Sequence, residues 1–350
     1  MKHYRIKDIA KLSGVSTGTV DRILHKRGRV SEEAQKKVEK VLKEIDYQPN
    51  MIARSLALKK NYRFLTLTPS FEAGDYWSQV CSGIDKAESE LHYYNIEVIR
   101  KYFDQYDNGS FDRLIDEIKE DTYEGVIIAT LFRNSCIRLM EELDRREIPY
   151  VMIDSYIENT NSLAYYGTDS FISGFIAGRL LSEQTKPADD ILIFHINQNT
   201  VSTQITNRRA GFQQYLVEHN HKGHIFTVHL DSHDEEKNDQ ILDRFFEMHP
   251  QVQAGIIFNS RVHFLSRYFQ SHPSLKHFKM IGYDIVDANI PCLDSGFVSH
   301  LISQRPEVQG LNSVKALFRH LVLKEKVDGI NYMPMDILMK ENVHYYNNYI

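Results

Sequence analysis

The sequence predicts two unlike parts: a small all-α head and a two-lobed α/β body, each lobe a doubly wound parallel sheet. Three observations carry this. Residues 6–24 hold two short apolar stripes at helical spacing on either side of a glycine. From Arg63 onward, short apolar runs alternate with helical stretches in two successive series, the pattern of parallel strands joined by crossover helices. The charge divides at the same boundary: residues 1–60 carry 15 Lys and Arg against 7 Asp and Glu, a net of +8, and the rest carries 27 against 40, a net of −13.

In the head, Ile6, Ile9, Ala10 and Leu12 repeat at helical spacing. Gly14 ends that run, because glycine takes a left-handed turn conformation without steric cost. Ser16 or Thr17 then caps a second helix, its hydroxyl accepting from free backbone N–H groups, and Val20, Ile23 and Leu24 form that helix's apolar face. Two short helices joined by a glycine turn make a helix-turn-helix, whose second helix enters the major groove of DNA; the competing reading is a plain helical hairpin in a core. The basic charge of the segment favours DNA, since cations near phosphates release counterions. His25-Lys-Arg-Gly-Arg29 is a basic loop suited to phosphate contact. Ser31-Glu-Glu-Ala opens a third helix, with Val38, Val41, Leu42 and Ile45 as the stripe that closes a three-helix core. Pro49 stops it, and Asn50 caps a short helix carrying Ile52, Ala53, Leu56 and Ala57. Two turns are marginal alone in water, so this segment is expected to fold only against a dimer partner or DNA. The expected division is residues 1–48 for the head, 49–60 for a hinge and 61–350 for the body.

The body's expected strands are Phe64–Thr68, Ile96–Arg100, Gly125–Ala129 and Tyr150–Ile153, with helices over Tyr76–Tyr93, Phe111–Lys119 and Arg133–Arg146. The second series begins with a helix over Phe171–Glu183. Its strands are Asp190–Phe194, His224–His229, Ala254–Phe258 and Lys279–Tyr283, and its helices run about Thr206–Glu218, Glu235–Met248 and Ser260–Gln270. A late strand around Phe297–Ser303 and the tail after Val327 are expected to cross between the lobes. That gives a first lobe of about 61–165 with 294–326 and a second of about 166–293 with 327–350.

Composition narrows the function classes. With 350 residues, 42% hydrophobic and 25% charged, the chain has the make-up of a globular protein of two or three domains. Cys81, Cys136 and Cys292 are odd in number and far apart, so they read as buried thiols in a reducing compartment rather than a disulfide or metal framework. His219, His221 and His224 lie close together without Cys or acid partners at ligand spacing and read as a polar loop; no metal site is expected. No basic-then-apolar leader opens the sequence and no apolar run approaches 18 residues, so a cytoplasmic location without membrane contact is expected. No glycine-rich GxGxxG or P-loop follows a strand and no nucleophile elbow is present, so neither a cofactor nor a catalytic residue is assigned.

Residues 6–60 closely resemble the head and hinge of the LacI/GalR family of bacterial transcription regulators. The matching runs are Ile6-Lys-Asp-Ile-Ala-Lys-Leu-Ser-Gly-Val-Ser, Thr19-Val-Asp-Arg-Ile-Leu, Val30-Ser, Tyr47-Gln-Pro-Asn and Ala53-Arg-Ser-Leu56. The body is similar, more loosely, to the family's sensor, which has the type I periplasmic-binding-protein-like fold of ribose-type sugar-binding proteins. The resemblance implies a homodimer on a pseudo-palindromic double-stranded DNA operator, with paired hinge helices in the minor groove. It places Thr17, Gly18 and Arg22 at the main base-reading positions and Leu56 where a leucine wedge unstacks a central base step. Ser16, His25, Arg29, Asn50 and Ala53 complete the expected DNA-contacting set. Two departures thin the direct readout: Gly18 has no side chain, and Asp21 stands where the family usually has serine. The Asp21 carboxylate either pairs with a neighbouring cation or accepts from a cytosine amino group.

In doubly wound sheets, ligands sit beyond the carboxyl ends of the strands. Those ends supply Phe71, Tyr76 and Trp77 after the first strand, Asp154 after the fourth, Asn259 and Asp284 in the second lobe, and Gln304 after the late strand. Arg208 precedes Ala210-Gly-Phe212 on a helix. The resemblance implies ligand contacts at Arg208, Asn259, Asp284, Gln304 and one aromatic among Phe71, Tyr76 and Trp77. Carboxylate, guanidinium and amide groups bind vicinal hydroxyls in bidentate fashion, and an aromatic face covers the C–H side of a sugar ring. The competing readings are helix caps for the Asp and Asn residues and plain core for Trp77. Asp169 is a further carboxylate expected near the cleft.

The expected function is a sequence-specific transcription regulator, with repression the preferred sense, whose operator affinity responds to a sugar bound between the lobes. A purine or other small metabolite is the alternative effector. A solute-binding protein is opposed by the basic head. A sugar enzyme would need a phosphate loop or a paired acid and base.

Overall fold

The computed structural model describes residues 4–24, 28–45, 61–196 and 202–349. The expected hinge, with Asn50, Ala53 and Leu56, and His25 of the basic loop lie outside the described residues. The chain divides into two compact units, one ending at Asn61 (with Tyr93–Asn95 grouped to it) and the other beginning at Tyr62.

The head holds α1 (Ile6–Ser13), α2 (Thr17–Leu24) and α3 (Glu32–Glu44). Gly14 follows α1 at φ 67° and ψ 28°, the left-handed conformation expected of it. Ser16, rather than Thr17, caps α2: its Oγ accepts from the Thr19 N–H at 3.1 Å. Ser31 caps α3 by accepting from the Ala34 N–H at 3.3 Å. The core is Ile9, Ala10, Val20, Val38 and Val41, with Ile23, Leu24, Leu42 and Ile45 partly buried against it. Leu12 corrects the expected stripe, being 55% exposed. The inward face of α1 follows Ile9, Ala10 and Ser13, at i+3 and i+4 spacing, and Leu12 falls beside it. Ser13 is tolerated inside because its hydroxyl donates to the Ile9 carbonyl at 2.6 Å.

The body runs β1 (Tyr62–Pro69), α4 (Tyr76–Leu91), β2 (Ile96–Phe103), α5 (Asn108–Ile118), β3 (Gly125–Ala129), α6 (Arg133–Arg145), β4 (Tyr150–Asp154) and β5 (Ala164–Gly167). It continues with α7 (Ser170–Ser182), β6 (Ile191–Ile196), α8 (Thr203–Glu218), β7 (Ile225–Leu230), α9 (Glu235–Met248), β8 (Ala254–Ile257), α10 (Ser266–Ser271) and β9 (Lys279–Tyr283). It closes with α11 (Ile290–Asp294), β10 (Val298–Ser303), α12 (Pro306–Leu321), β11 (Ile330–Tyr332) and β12 (Asp336–Leu338).

These strands form two six-stranded sheets, β11-β5-β4-β3-β1-β2 in the N-terminal lobe and β12-β10-β9-β8-β6-β7 in the C-terminal lobe. All pairs are parallel except the edge pair β10–β12. Helices cover both faces, so successive residues of a strand enter different cores. Ile191 and Ile193 face one apolar cluster, and Leu192, Phe194 and Ile196 face another. This is why the strands read as unbroken apolar runs.

The chain passes between lobes between β5 and α7, between β10 and α12, and between β11 and β12. This corrects the expected lobe limits. Strand Val298–Ser303 pairs with β9 inside the C-terminal lobe, and Ile330–Tyr332 pairs with β5 inside the N-terminal lobe. Alternation marks a strand without saying which sheet edge will accept it. Two helix pairs approach closely enough to need glycine. A Cβ on Gly174 of α7 would stand 1.8 Å from the Arg208 carbonyl oxygen of α8, and one on Gly83 of α4 would stand 1.9 Å from that of Glu307 on α12. The first contact fixes the backbone that carries Arg208.

Candidate ligand cleft and DNA-reading head

The carboxyl ends of both sheets border one cleft of about 1150 Å³. Phe71, Tyr76, Trp77, Asp154, Arg208, Asn259, Asp284 and Gln304 all line it. Asp154 ends β4 and Asp284 follows β9, and both stand at positive φ, 76° and 65°. Backbone in this region is uncommon for non-glycine residues and is sustained where the surroundings demand it. Neither carboxylate caps a helix. Asp169, by contrast, is the cap of α7, accepting from the Ile172 N–H at 3.0 Å, and it does not line the cleft.

Arg208 is the largest fully buried side chain of the described residues, at 1% exposure. Its Nη1 donates to the Phe258 carbonyl at 2.7 Å, and its guanidinium lies 4.0 Å above the centre of the Tyr283 ring. The Tyr283 hydroxyl is held by Ser173 Oγ at 3.1 Å. Nε and Nη2 of Arg208 are buried without a partner. Buried donors of this kind are costly unless something accepts from them.

Asp154 and Asp284 are also buried. Asp154 Oδ1 accepts from Gln204 Nε2 at 2.9 Å and Oδ2 from Ser155 Oγ at 3.0 Å. Asp284 Oδ1 accepts from Gln304 Nε2 at 2.8 Å. Burial pushes the Asp284 carboxyl up to about 6, with Arg208 and Gln304 opposing and Asp154 adding to the rise. Asp154 is raised by the same desolvation, opposed by Arg208. Tyr76 is held well above the usual phenol range by burial and then by the two carboxylates.

Amides tie these groups across the lobes. Gln204 Nε2 also reaches Gln304 Oε1 at 3.2 Å, and Thr168 Oγ1 donates to the same oxygen at 3.0 Å. Gln309 on α12 donates to the Gln304 carbonyl at 2.9 Å. The aromatic residues divide by depth: Tyr76 and Trp77 are buried and packed edge-on at 5.1 Å, whereas Phe71 is 37% exposed and set edge-on to Tyr102. Asn259 keeps part of the cap-like reading, since its Oδ1 accepts from the Arg261 N–H at 3.1 Å.

In the head, Ser16, Thr17 and Gly18 are exposed at the start of α2, and Arg22 is exposed one turn on. Arg29 is exposed beyond Gly28. One feature met in sequence reads differently in space. His224 has an acid partner after all, Asp190 Oδ1 at 3.3 Å, because β6 and β7 start side by side. Cys81, Cys136 and Cys292 are free and buried. Among the described residues no cluster could hold a metal ion, and no helix is long and apolar enough to cross a membrane.

Residues 5–50 match the family described as bacterial regulatory proteins, lacI family, and residues 65–326 match a periplasmic binding protein domain. A solved structure assigned as a LacI transcriptional regulator from Bacteroides fragilis is 36% identical, covers 82% of this chain and 100% of its own, and superposes with a TM-score of 0.78. The chain belongs to the LacI family. It is similar to the ribose operon repressor of Halalkalibacterium halodurans, at 26% identity over 96% of both chains. It is also similar to the transcriptional repressor PurR of Klebsiella pneumoniae, at 27% identity over 61% of this chain and 60% of that one. As a LacI-family member it is a DNA-binding regulator answering to a small metabolite, not an enzyme.

Within that family architecture, three polar residues escaped sequence reasoning: Gln204, which lines the cleft, and Thr168 and Gln309, which hold Gln304 from behind. Gln204 lies one helical turn before Arg208, so the i, i+4 spacing from a residue already singled out was the available signal. Thr168 follows a short strand, Ala164–Gly167, that was itself missed. Gln309 sits inside a helix that no clean amphipathic pattern announces.

Proposed function

We propose that this LacI-family chain is a homodimeric, operator-specific regulator of the cytoplasm, preferentially a repressor, whose DNA affinity is set by a sugar held between the lobes. The observation that carries the sugar is Arg208: a buried guanidinium with two unused N–H groups, accompanied by buried carboxylates from both lobes. A pair of adjacent hydroxyls accepts from the one and donates to the others at once. Tyr76 and Trp77 supply apolar surface for the ring's C–H face. Similarity to a ribose operon repressor supports this reading; similarity to PurR keeps a purine as the rival, against which two carboxylates favour a hydroxyl-rich ligand.

Control of DNA follows from linkage. The effector shifts operator affinity only by its differential affinity for the lobe arrangements that do and do not let two heads engage DNA. A thermal-unfolding screen of the full chain against sugars, sugar acids, polyols and purines tests the reading. At a hundredfold excess over its dissociation constant, a sugar should add roughly 2.7 kcal/mol of apparent stability. Stabilisation by purines alone would overturn it.

Asp284 adds a pH signature. A sugar hydroxyl donating to this group needs the carboxylate, and the ligand-free cleft favours the protonated acid up to about pH 6. Effector affinity should therefore fall about tenfold between pH 7 and pH 5. Titration calorimetry at the two pH values checks it, and equal affinities would remove Asp284 from direct contact.

A further inference from the structure

The polar network around Arg208 occupies one end of the cleft, and the cleft continues well past it. Asp154, Asp284 and Gln304 stand at the ends of β4, β9 and β10, beside the crossings between lobes. The remaining walls come from the loops after β2 and β3 in one lobe and after β7 and β8 in the other. The sheet order β4-β3-β1-β2 puts three strand intervals between Asp154 and the loop bearing Tyr106, a distance of roughly 14 Å at the usual strand spacing. The order β9-β8-β6-β7 puts the same three intervals between Asp284 and the loop bearing His233. A six-membered ring is about two C–C bonds across, and with its hydroxyls it fills roughly one or two such intervals. The cleft volume of about 1150 Å³ also exceeds the roughly 300–1,000 Å³ usual for small-molecule pockets.

The outer end has hydrogen-bonding capacity to spare. Arg133 and Asn134, exposed in the first turn of α6, have no side-chain partner among the described residues. Arg261 lies over the rings of Tyr106 and Phe264, at 4.8 and 5.3 Å, and its buried Nη1 lacks an acceptor. Both signs of charge are present: Arg133 and Arg261 share this region with the carboxylates of Glu72, Asp75 and Asp104, and Arg138 is paired with Asp112. A phosphate pocket needs converging cations without nearby carboxylates; mixed donors and acceptors suit hydroxyls.

We infer that the effector is an oligosaccharide of at least two rings. One ring sits against Arg208 and the paired carboxylates, and the second is held in the outer cleft by Arg133, Asn134 and Arg261. The inference rests on the sugar reading of the inner site.

Calorimetry on the full chain tests it with sucrose, maltose, cellobiose, lactose, melibiose and xylobiose, each against its component monosaccharides. One disaccharide should bind at least tenfold more tightly than either of its rings. The exposed substitutions Arg133→Ala and Asn134→Ala, combined, should bring that preference down at least threefold, with Arg261→Ala acting in the same direction. A monosaccharide that binds as tightly as every disaccharide containing it overturns the inference and leaves the sugar reading standing. So does a preference that survives the double substitution undiminished, or a monosaccharide phosphate that outcompetes every disaccharide. If no sugar of either size binds, the sugar reading itself fails.

Discussion

Arg208→Met should abolish the effector response and lower stability in a pH-dependent way. The substitution keeps much of the side-chain volume but removes Nε and Nη2, two buried donor nitrogens without a partner, from a residue that lines the cleft. Each hydrogen bond to a charged group is worth roughly 1.5–3 kcal/mol, so losing two should weaken the effector by at least about 100-fold. The same guanidinium is the cation that opposes the rise of Asp154 and Asp284. Without it, both carboxyls rise further in the folded state while their unfolded values stay put. A carboxyl raised on folding binds more protons when folded, so its contribution to stability declines as pH climbs from the unfolded value to the folded one. In the variant that decline extends to higher pH. The stability gap between parent and variant should therefore be small at pH 5 and wider at pH 8, as read from urea unfolding midpoints. A gap of equal size at both would show that Arg208 is not their counter-charge.

That prediction depends on residues the sequence exposes unevenly. Asp154 and Asp284 follow apolar runs too regular to miss, and a strand that ends on a carboxylate points it at the cleft. Gly14 is legible for a related reason, since a left-handed turn leaves few alternatives. Tertiary choices are not local in this way. Helix α12 buries Gln309, Gly310 and Ser313 ahead of Val314, Leu317 and Phe318, so polar residues interrupt the apolar stripe of its inward face. Gln309 is satisfied by the Gln304 carbonyl and the distant Tyr76 hydroxyl, and Ser313 by the helix backbone, partners that an apolar pattern does not register. Leu12 fails in the opposite sense: an apolar residue near the expected stripe is left in solvent because Ser13 takes the inward position. The lobe limits failed because a strand's own residues do not specify its neighbour.

The second large effect is expected at the DNA end. Leu56→Ala should weaken operator binding about 10- to 100-fold, or roughly 1.4–2.7 kcal/mol, and leave effector binding by the body intact. Leu56 lies outside the described residues, and we propose its role as a wedge from the resemblance of Ala53-Arg-Ser-Leu56 to the family's hinge. The described helix α2 makes the effect large. Ser16 spends its hydroxyl on capping α2, and Gly18 offers no side chain, leaving Thr17 and Arg22 to reach base edges. A reader that sparse must draw more of its discrimination from how readily the duplex deforms, and unstacking a central step is where a leucine wedge acts. An operator recovered by selection from random duplexes allows the test by fluorescence anisotropy at fixed salt. The loss should be greatest on operators with a flexible pyrimidine–purine step at the centre and should shrink when that step is replaced by a stiff A-tract, because the parent protein gains least there. An affinity that Leu56→Ala leaves unchanged on both duplexes would assign the specificity to Thr17 and Arg22 instead.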